Sequence, residues 1–224
     1  MTASAFAENS HIIYNEKFEQ IFIKIVACYQ LMKIHNVVLP NDENLIRDEI
    51  VNNYLMANTV RNSIGIDDYL FIRENPTNDN TGRTDISVVL RNDSFQNTNA
   101  LYIIECKRLD GKIKLNREYI TNGIARFIKE KKYPTYKNTA GMIGFVVAKI
   151  DISQNIIAIN RLLKQDFTHI DTEKELDYKE IVSNFKYSYF SQHKIEDISK
   201  IIYHLMFDLS DHIKETNERI KKCN

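Results

Sequence analysis

Short, strongly apolar runs in the middle of the chain constrain its fold more than any other feature of the sequence. Three of them have the length of single β-strands, at residues 84–90, 100–109 and 141–149. A polar loop separates the first two runs, and residues 116–131, which have the pattern of a helix, separate the last two. Strands that alternate with crossover helices form the sheet of an α/β protein, so we predict this fold class.

The outer parts of the chain show mainly helical periodicity. Apolar side chains recur every three or four residues in four segments, at residues 16–34, 43–56, 155–163 and 195–220. Strand patterns occur at residues 67–75 and, more weakly, at 185–190. The last helix is predicted from the spacing of four residues, Ile198, Ile202, Leu205 and Leu209.

Length and composition favour one domain. The chain has 224 residues, of which 43% are hydrophobic, and this is enough for a substantial core. We therefore expect a single domain over residues 1–224. Its core would occupy about residues 41–150, and helical additions at residues 1–40 and 151–224 would pack on that core.

Charge and cysteine content limit the class of protein. The 30 basic and 30 acidic side chains cancel, which excludes a histone-like polycation but permits a locally basic face. The three cysteines are widely spaced and form no CxxC pair, as expected in a reducing compartment. The first residues lack the pattern of a signal peptide, and the longest apolar run is too short to cross a membrane. We expect a cytoplasmic protein without a membrane partner.

Two of the predicted strands carry charges where their neighbours are apolar. The first contains Asp85, and the second ends with Glu105 and Lys107 on one face and Cys106 on the other. Open α/β sheets hold their ligands at the C-terminal ends of strands, where this second group lies. If the strands are adjacent, Asp85 lies beside Glu105. Two buried carboxylates in that position destabilise the fold unless a cation compensates them.

A divalent cation suits this arrangement. Mg²⁺ prefers carboxylate oxygens and water as ligands, and it polarises phosphoryl groups. Lys107 would orient the attacking water and neutralise the charge that develops during hydrolysis. The residues therefore indicate in-line hydrolysis of a phosphodiester, with Asp85 and Glu105 as metal ligands. The alternative interpretation is a partly exposed ion pair of Lys107 and Glu105 at the end of a strand.

The same residues resemble a known family. The run GRTDISVVL, followed by LYIIECKRL, resembles the PD-(D/E)xK nuclease superfamily, which has the restriction-endonuclease-like fold. The similarity covers about residues 43–149. It implies a mixed central sheet flanked by helices, Mg²⁺ as cofactor with Mn²⁺ as a substitute, and cleavage of nucleic acid. Thr84 stands where the family usually has proline, a departure that the family tolerates.

The resemblance also assigns roles to residues. It places the family's two metal-binding acids on Asp85 and Glu105 and its lysine on Lys107. Many members add a glutamate from the first core helix, for which Glu43 and Glu49 are the candidates here. We favour Glu49 as the further metal ligand and catalytic residue, because it lies beside the buried stripe of that helix. Glu43 would then serve only the positive N-terminus of the helix.

Substrate contacts are expected in a basic segment. Residues 107–132 contain nine Lys or Arg and three acids, a local balance of +6 in a neutral protein. Such a segment can track a phosphate backbone, and the alternative is a solvated helix face. Tyr119 and Arg126 on the predicted helix are assigned to substrate binding, as is Arg83 just before the first charged strand. Nucleic acid, first of all DNA, is the expected partner, and a homodimer is allowed.

Other polar residues receive structural interpretations. His204, Asp208 and His212 share one side of the predicted last helix, where a solvated face is favoured over a metal site. Cys106 is interpreted as a buried thiol. The resulting prediction is a Mg²⁺-dependent nuclease, for which the family alone suggests a restriction or phage-defence role. The alternative is a catalytically silent nuclease-like module that binds nucleic acid or a protein.

Overall fold

The computed structural model describes residues 3–76, 83–91, 102–128 and 138–214, with side chains from Ile12 onward. These residues form a seven-stranded mixed sheet with helices packed against it. The helices are α1 (Ala3–Ile34), α2 (Glu43–Ile50), α3 (Asn58–Ile64), α4 (Ile113–Tyr119), α5 (Ala125–Ile128) and α6 (Ile152–Gln165). The strands are β1 (Tyr69–Pro76), β2 (Arg83–Leu90), β3 (Tyr102–Leu109), β4 (Thr139–Val146), β5 (Thr172–Tyr178), β6 (Ser188–Ile195) and β7 (Ile198–Asp208).

Aspartates fix the starts of two helices. Asp42 accepts a hydrogen bond from the Leu45 N–H at 3.0 Å and caps α2, and Asp151 caps α6 through the Gln154 N–H at 3.0 Å. Such caps satisfy backbone donors that have no partner within the helix. The cap at Asp42 sets the position of Glu43, the first residue of α2.

The strand order is β1-β2-β3-β4-β7-β6-β5. Strands β3, β4 and β7 are parallel, and the other neighbouring pairs are antiparallel. The parallel centre is covered on both faces, and all eight residues of β4 are buried. This explains why the central strands have nearly continuous apolar sequences instead of an alternating pattern.

Two hydrophobic cores lie on opposite faces of the sheet. Residues of α1 and α2 pack on one face, and residues of α4, α5 and α6 pack on the other. Gly141 in β4 permits the close approach of α1, since a Cβ atom there would lie 2.7 Å from Phe22 Cζ and 2.8 Å from Phe18 Cε1. The long first helix is therefore part of the sheet's core packing.

The α/β class and most of the central elements are confirmed. The predicted strands at residues 67–75, 84–90, 100–109 and 141–149 correspond to β1 to β4. The predicted helices at residues 16–34, 43–56, 116–131 and 155–163 correspond to α1, α2, α4 with α5, and α6. The second continues as a π-helical turn, and residues 129–131 of the third lie outside the described residues. No described helix is both long enough and apolar enough to cross a bilayer.

The predicted C-terminal helix is wrong. Residues 198–208 form β7, which lies between β4 and β6 and is buried over most of its length. A strand that is covered on both faces has a run of apolar residues, and helical spacing occurs within such a run by chance. The described part of the predicted helical addition, residues 151–214, contains α6 but also β5, β6 and β7, so the sheet extends beyond the predicted core at residues 41–150. Residues 215–220 of the predicted helix lie outside the described residues.

Candidate active site

The candidate site lies where the pairing of β2 and β3 ends. Their ladder contains three residue pairs, and the last of these joins Ile86 to Ile104. Further along β3, the backbone N–H of Cys106 donates a 2.7 Å hydrogen bond to Asp85 Oδ2. A carboxylate thus takes the position that the backbone of a neighbouring strand would occupy. This places the side chain of Asp85 against the polar end of β3.

Side chains alternate along β3 as the sequence predicts. Cys106 belongs to the core beneath α1, whereas Ile103 and Leu109 belong to the core on the other face. Burial raises the pKa of the Cys106 thiol well above its ordinary value, and the neighbouring carboxylates raise it further. The prediction of a buried thiol is confirmed, and a reactive thiolate is disfavoured at this position.

The ammonium of Lys107 lies among three carboxylates. Its Nζ is 2.8 Å from Glu105 Oε1, 2.9 Å from Glu43 Oε1 and 3.8 Å from Asp85 Oδ2. It also donates a 2.6 Å hydrogen bond to the backbone oxygen of Cys106. Burial alone would lower the pKa of Lys107, but Glu105, Asp85 and Glu43 outweigh it and raise the pKa above its ordinary value. Lys107 therefore stays protonated at neutral pH.

Glu105 is the most deeply buried of the three acids, with no exposed surface. Its Oε1 atom accepts a 2.6 Å hydrogen bond from Arg126 Nη1 and also contacts Lys107. Burial and the charge of Asp85 raise the pKa of Glu105 to about 7, although Lys107 and Arg126 oppose this rise. The raised pKa of Glu105 is compatible with the raised pKa of Lys107. Three acids surround one ammonium, so a proton is favoured on the acid that is least solvated, which is Glu105.

Arg47 holds Asp85 from the side of α2. This guanidinium is almost completely buried and donates a 3.0 Å hydrogen bond to Asp85 Oδ1. It also contacts Asp48 at 2.9 Å and Glu74 at 3.0 Å, and Glu74 in turn lies 3.3 Å from the exposed guanidinium of Arg83. A chain of alternating charges thus leads from the surface to Asp85. Arg83 was predicted to contact substrate, and its ion pair with Glu74 leaves that prediction open.

The structure brings Glu43, and not Glu49, to the site. Both Glu43 oxygens are used, since Oε1 accepts from Lys107 and Oε2 accepts a 3.0 Å hydrogen bond from the Arg108 N–H. Glu49 instead accepts a 2.7 Å hydrogen bond from Asn53 Nδ2, one turn further along the same helix region. Glu49 therefore lies away from this cluster, because the N-terminus of α2, and not its C-terminal part, approaches the end of β3.

A π-helical turn, Ile120–Ile124, connects α4 to α5 and lies close to Lys107. Gly123 is part of this turn, and a Cβ atom there would lie 2.3 Å from Met142 Cε and 3.5 Å from Lys107 Cγ. The missing side chain allows the turn to pack directly on β3 and β4. The following helix, α5, then directs Arg126 to Glu105. Irregular turns of this kind are frequent at functional sites.

Tyr119, which was assigned to substrate binding, lies in the buried core and not on an accessible surface. The side chain is fully buried, and its hydroxyl lies 2.8 Å from His204 Nδ1. A further chain of contacts continues from His204 Nε2 to Ser191 Oγ at 2.8 Å and on to His193 Nε2 at 2.8 Å. Tyr119 and Arg126 would share one face of a regular helix. The π-helical turn between them rotates the following residues, so the two side chains point in different directions.

The group of His204, Asp208 and His212 also differs from its prediction. His204 is fully buried within β7, Asp208 ends that strand, and His212 Nδ1 contacts the Val37 backbone oxygen at 2.9 Å. The predicted solvated helix face is wrong for His204, because strand geometry replaces the helical spacing on which it depended. The burial of His204 and His193 depends on the pairing of β7 with β6, which helical spacing does not predict.

The donors at the site fit a hard divalent cation. Asp85, Glu105 and Glu43 supply carboxylate oxygens, which are the ligands that Mg²⁺ and Mn²⁺ prefer. Among the described residues, however, no group of three or more His, Cys, Asp or Glu side chains is arranged as a metal site. Instead, all three carboxylates approach the Lys107 ammonium. A bound cation would compete with this ammonium for the same oxygens.

Comparison with known proteins adds no relative. No protein-family model, no curated protein and no solved structure matches this chain. The interpretation of the site therefore rests on its residues and on their geometry.

Proposed function

We propose that this chain is a divalent-metal-dependent nuclease with a restriction-endonuclease-like fold, as its resemblance to the PD-(D/E)xK superfamily implies. The observation that carries the proposal is the approach of three carboxylates, from Asp85, Glu105 and Glu43, to the ammonium of Lys107 at the end of a strand ladder. Acids and a lysine in this arrangement suit phosphodiester hydrolysis. DNA is the proposed substrate, and restriction or phage defence is the proposed setting.

The residues contribute distinct properties to this chemistry. Mg²⁺ or Mn²⁺, held by Asp85, Glu105 and Glu43, would supply charge for the phosphoryl oxygens and lower the pKa of water. Lys107 is protonated among these unbound acids, and its ammonium would supply positive charge near the phosphate. Burial and Asp85 raise the pKa of Glu105 to about 7 in the metal-free protein, and a bound cation would favour the ionised form that a metal ligand requires. Arg126 holds Glu105 in place.

The direct test is a cleavage assay with purified protein. Single- and double-stranded DNA and RNA are incubated with Mg²⁺, with Mn²⁺ or with EDTA, and the products are separated on gels. We expect metal-dependent cleavage that falls about a hundredfold or more in Asp85→Asn and in Lys107→Ala, because even partners of metal ligands typically contribute about 10–100-fold. Glu49→Gln is the matched control, since Glu49 lies on the same helix but contacts Asn53. Cleavage that persists in both site variants would refute the proposal.

A catalytically silent binding module is the second candidate. It is favoured by one observation, namely that each carboxylate of the site already has a cationic partner. Glu43 and Glu105 pair with Lys107, and Asp85 pairs with Arg47. Such pairing stabilises buried acids without a metal. Calorimetric titration with Mn²⁺ discriminates between the candidates. Binding that disappears in Asp85→Asn supports the nuclease, and the absence of binding to the unmodified protein supports the module.

A further inference from the structure

A cavity of about 400 Å³ lies on a different part of the molecule. It is formed by the C-terminal part of α1, the segment between β5 and β6, and the end of β7. None of its lining residues belongs to the cluster around Lys107. The volume falls within the range of roughly 300–1,000 Å³ that is usual for small-molecule sites.

Aromatic rings form much of the wall of this cavity. Tyr29 is fixed, because its ring stacks on Phe207 at 4.3 Å and its hydroxyl donates a 3.0 Å hydrogen bond to the Asp208 backbone oxygen. Tyr178, at the end of edge strand β5, is 54% exposed. Its ring is therefore accessible to a flat ligand that enters the cavity.

Two lysines bring positive charge to the same cavity. Lys33 Nζ lies 5.6 Å from the centroid of the Tyr29 ring, and Lys186 Nζ lies 4.8 Å from that of Tyr187. Among the described residues neither ammonium forms a close salt bridge, although the charge of Lys33 also interacts with Asp211. The cavity also contains one carboxylate, Asp208, whose Oδ1 accepts hydrogen bonds from the N–H and the hydroxyl of Ser210.

We propose that this cavity binds a nucleotide unit, with the base against Tyr178 and the phosphate near Lys33 and Lys186. Accessible tyrosines stack on bases of any sequence, and lysines beside them attract the phosphate. The side-chain amides of Gln30 and Asn184, which also line the cavity, can donate to and accept from the edge of a base. The nucleotide is either free or part of a single strand, and both present the same chemistry.

This binding site goes beyond the proposed cleavage and is tested without it. Calorimetric titrations in EDTA use thymidine 5′-monophosphate, thymidine, inorganic phosphate and a short oligothymidylate as separate probes. We expect the monophosphate to bind about tenfold or more tightly than thymidine or phosphate alone. Only the nucleotide can contact the ring of Tyr178 and the ammoniums of Lys33 and Lys186 at the same time. Metal-dependent cleavage is measured in a separate assay, so failure of either proposal is recognised independently.

Variants locate the binding to the cavity. Tyr178→Ala is expected to weaken nucleotide binding about fivefold or more, whereas Tyr178→Phe retains a ring and should bind within about twofold of the unmodified protein. The double variant Lys33→Ala with Lys186→Ala should weaken binding and reduce its dependence on salt. Lys194→Ala is the matched control, because Lys194 is exposed on β6 and is not part of the cavity. Circular dichroism verifies that each variant is folded.

The outcomes separate the two sources of the nucleotide. Loss of oligothymidylate binding together with monophosphate binding in Tyr178→Ala supports a strand as the ligand. Loss of monophosphate binding alone supports a free nucleotide. The proposal is overturned if no probe binds the unmodified protein, or if the Tyr178→Ala and double-lysine variants bind every probe unchanged.

Discussion

At the scale of single residues, Glu43 joins α2 to β3 through both of its oxygens. One oxygen receives the ammonium of Lys107 and the other receives the backbone N–H of Arg108. Glu43→Gln keeps the shape of the side chain and one acceptor but removes the negative charge. We expect this change to reduce metal-dependent cleavage by about 10–100-fold, since it weakens a charge that any bound cation would use.

The comparison with Glu49→Gln makes this prediction specific. Both changes remove one charge from the same helix, and only Glu43 contacts Lys107. Cleavage rates at saturating Mg²⁺, together with the free energy of unfolding in urea, separate an effect on the site from an effect on folding. A large loss of activity in Glu49→Gln and none in Glu43→Gln would restore the assignment that the sequence favours.

The residues of β3 could be predicted because strand alternation alone places Glu105 and Lys107 on one face. Asp85 follows from the same rule once the two strands are neighbours. The choice between Glu43 and Glu49 depends on which end of α2 meets the sheet, and helical periodicity contains no information about that. Arg126 is found by its charge near the site, but its contact with Glu105 depends on a π-helical turn that the sequence analysis does not predict.

At the scale of elements, the docking of α1 depends on a single glycine. A methyl group at residue 141 would meet the rings of Phe18 and Phe22, which are both fully buried and have no free space. We expect Gly141→Ala to lower the free energy of unfolding by about 1–3 kcal/mol through overpacking. Urea denaturation followed by circular dichroism measures this loss.

A second change tests the cause of that loss. Phe18→Leu removes part of the ring that would meet the new methyl group, so the double variant should lose less stability than the two single losses together. Strictly additive losses would show that the methyl group at residue 141 does not meet Phe18. The comparison needs no assumption about the absolute size of either effect.

Strands β5 and β7 escaped prediction for opposite reasons. β5 is a polar edge strand with a bulged ladder, so its sequence lacks the alternation of a half-buried strand. β7 is covered on both faces, so its sequence lacks alternation for the opposite reason. Strands β1 and β2 were predicted because a polar turn separates two runs of suitable length. Buried β4 was nevertheless predicted from the length of its apolar run, whereas the buried run of β7 also has the spacing of a helix.

At the scale of the whole molecule, a chain of hydrogen bonds crosses the sheet from α4 to β5. The Thr172 hydroxyl donates to the Ile170 backbone oxygen, so it accepts from His193 Nδ1 at 3.2 Å. Ser191 then donates to His193 Nε2 and accepts from His204 Nε2, which leaves His204 Nδ1 to accept from the Tyr119 hydroxyl. When both histidines are neutral, each hydrogen bond in this chain has one donor and one acceptor.

This chain predicts that stability decreases in mild acid. Burial lowers the pKa of His193 from 6.5 to about 4, and burial together with His193 lowers that of His204 well below its ordinary value. Between pH 6.5 and about pH 4, His193 binds a proton in the unfolded chain but not in the folded protein. The free energy of unfolding therefore falls as the pH falls through this range. For His193 the loss at about pH 5 is about 2 kcal/mol relative to neutral pH.

Urea denaturation near neutral pH and at about pH 5 measures this loss, and His193→Gln identifies its source. The variant should be less stable at neutral pH, because it disturbs the chain between Ser191 and Thr172. It should also lose less stability on acidification than the unmodified protein, since it lacks one of the protons that the unfolded chain takes up. His169→Gln is the control, because His169 is exposed and should keep the full pH dependence. An equal loss in all three proteins would show that the acid sensitivity arises elsewhere, for example from carboxylates, and not from the buried histidines.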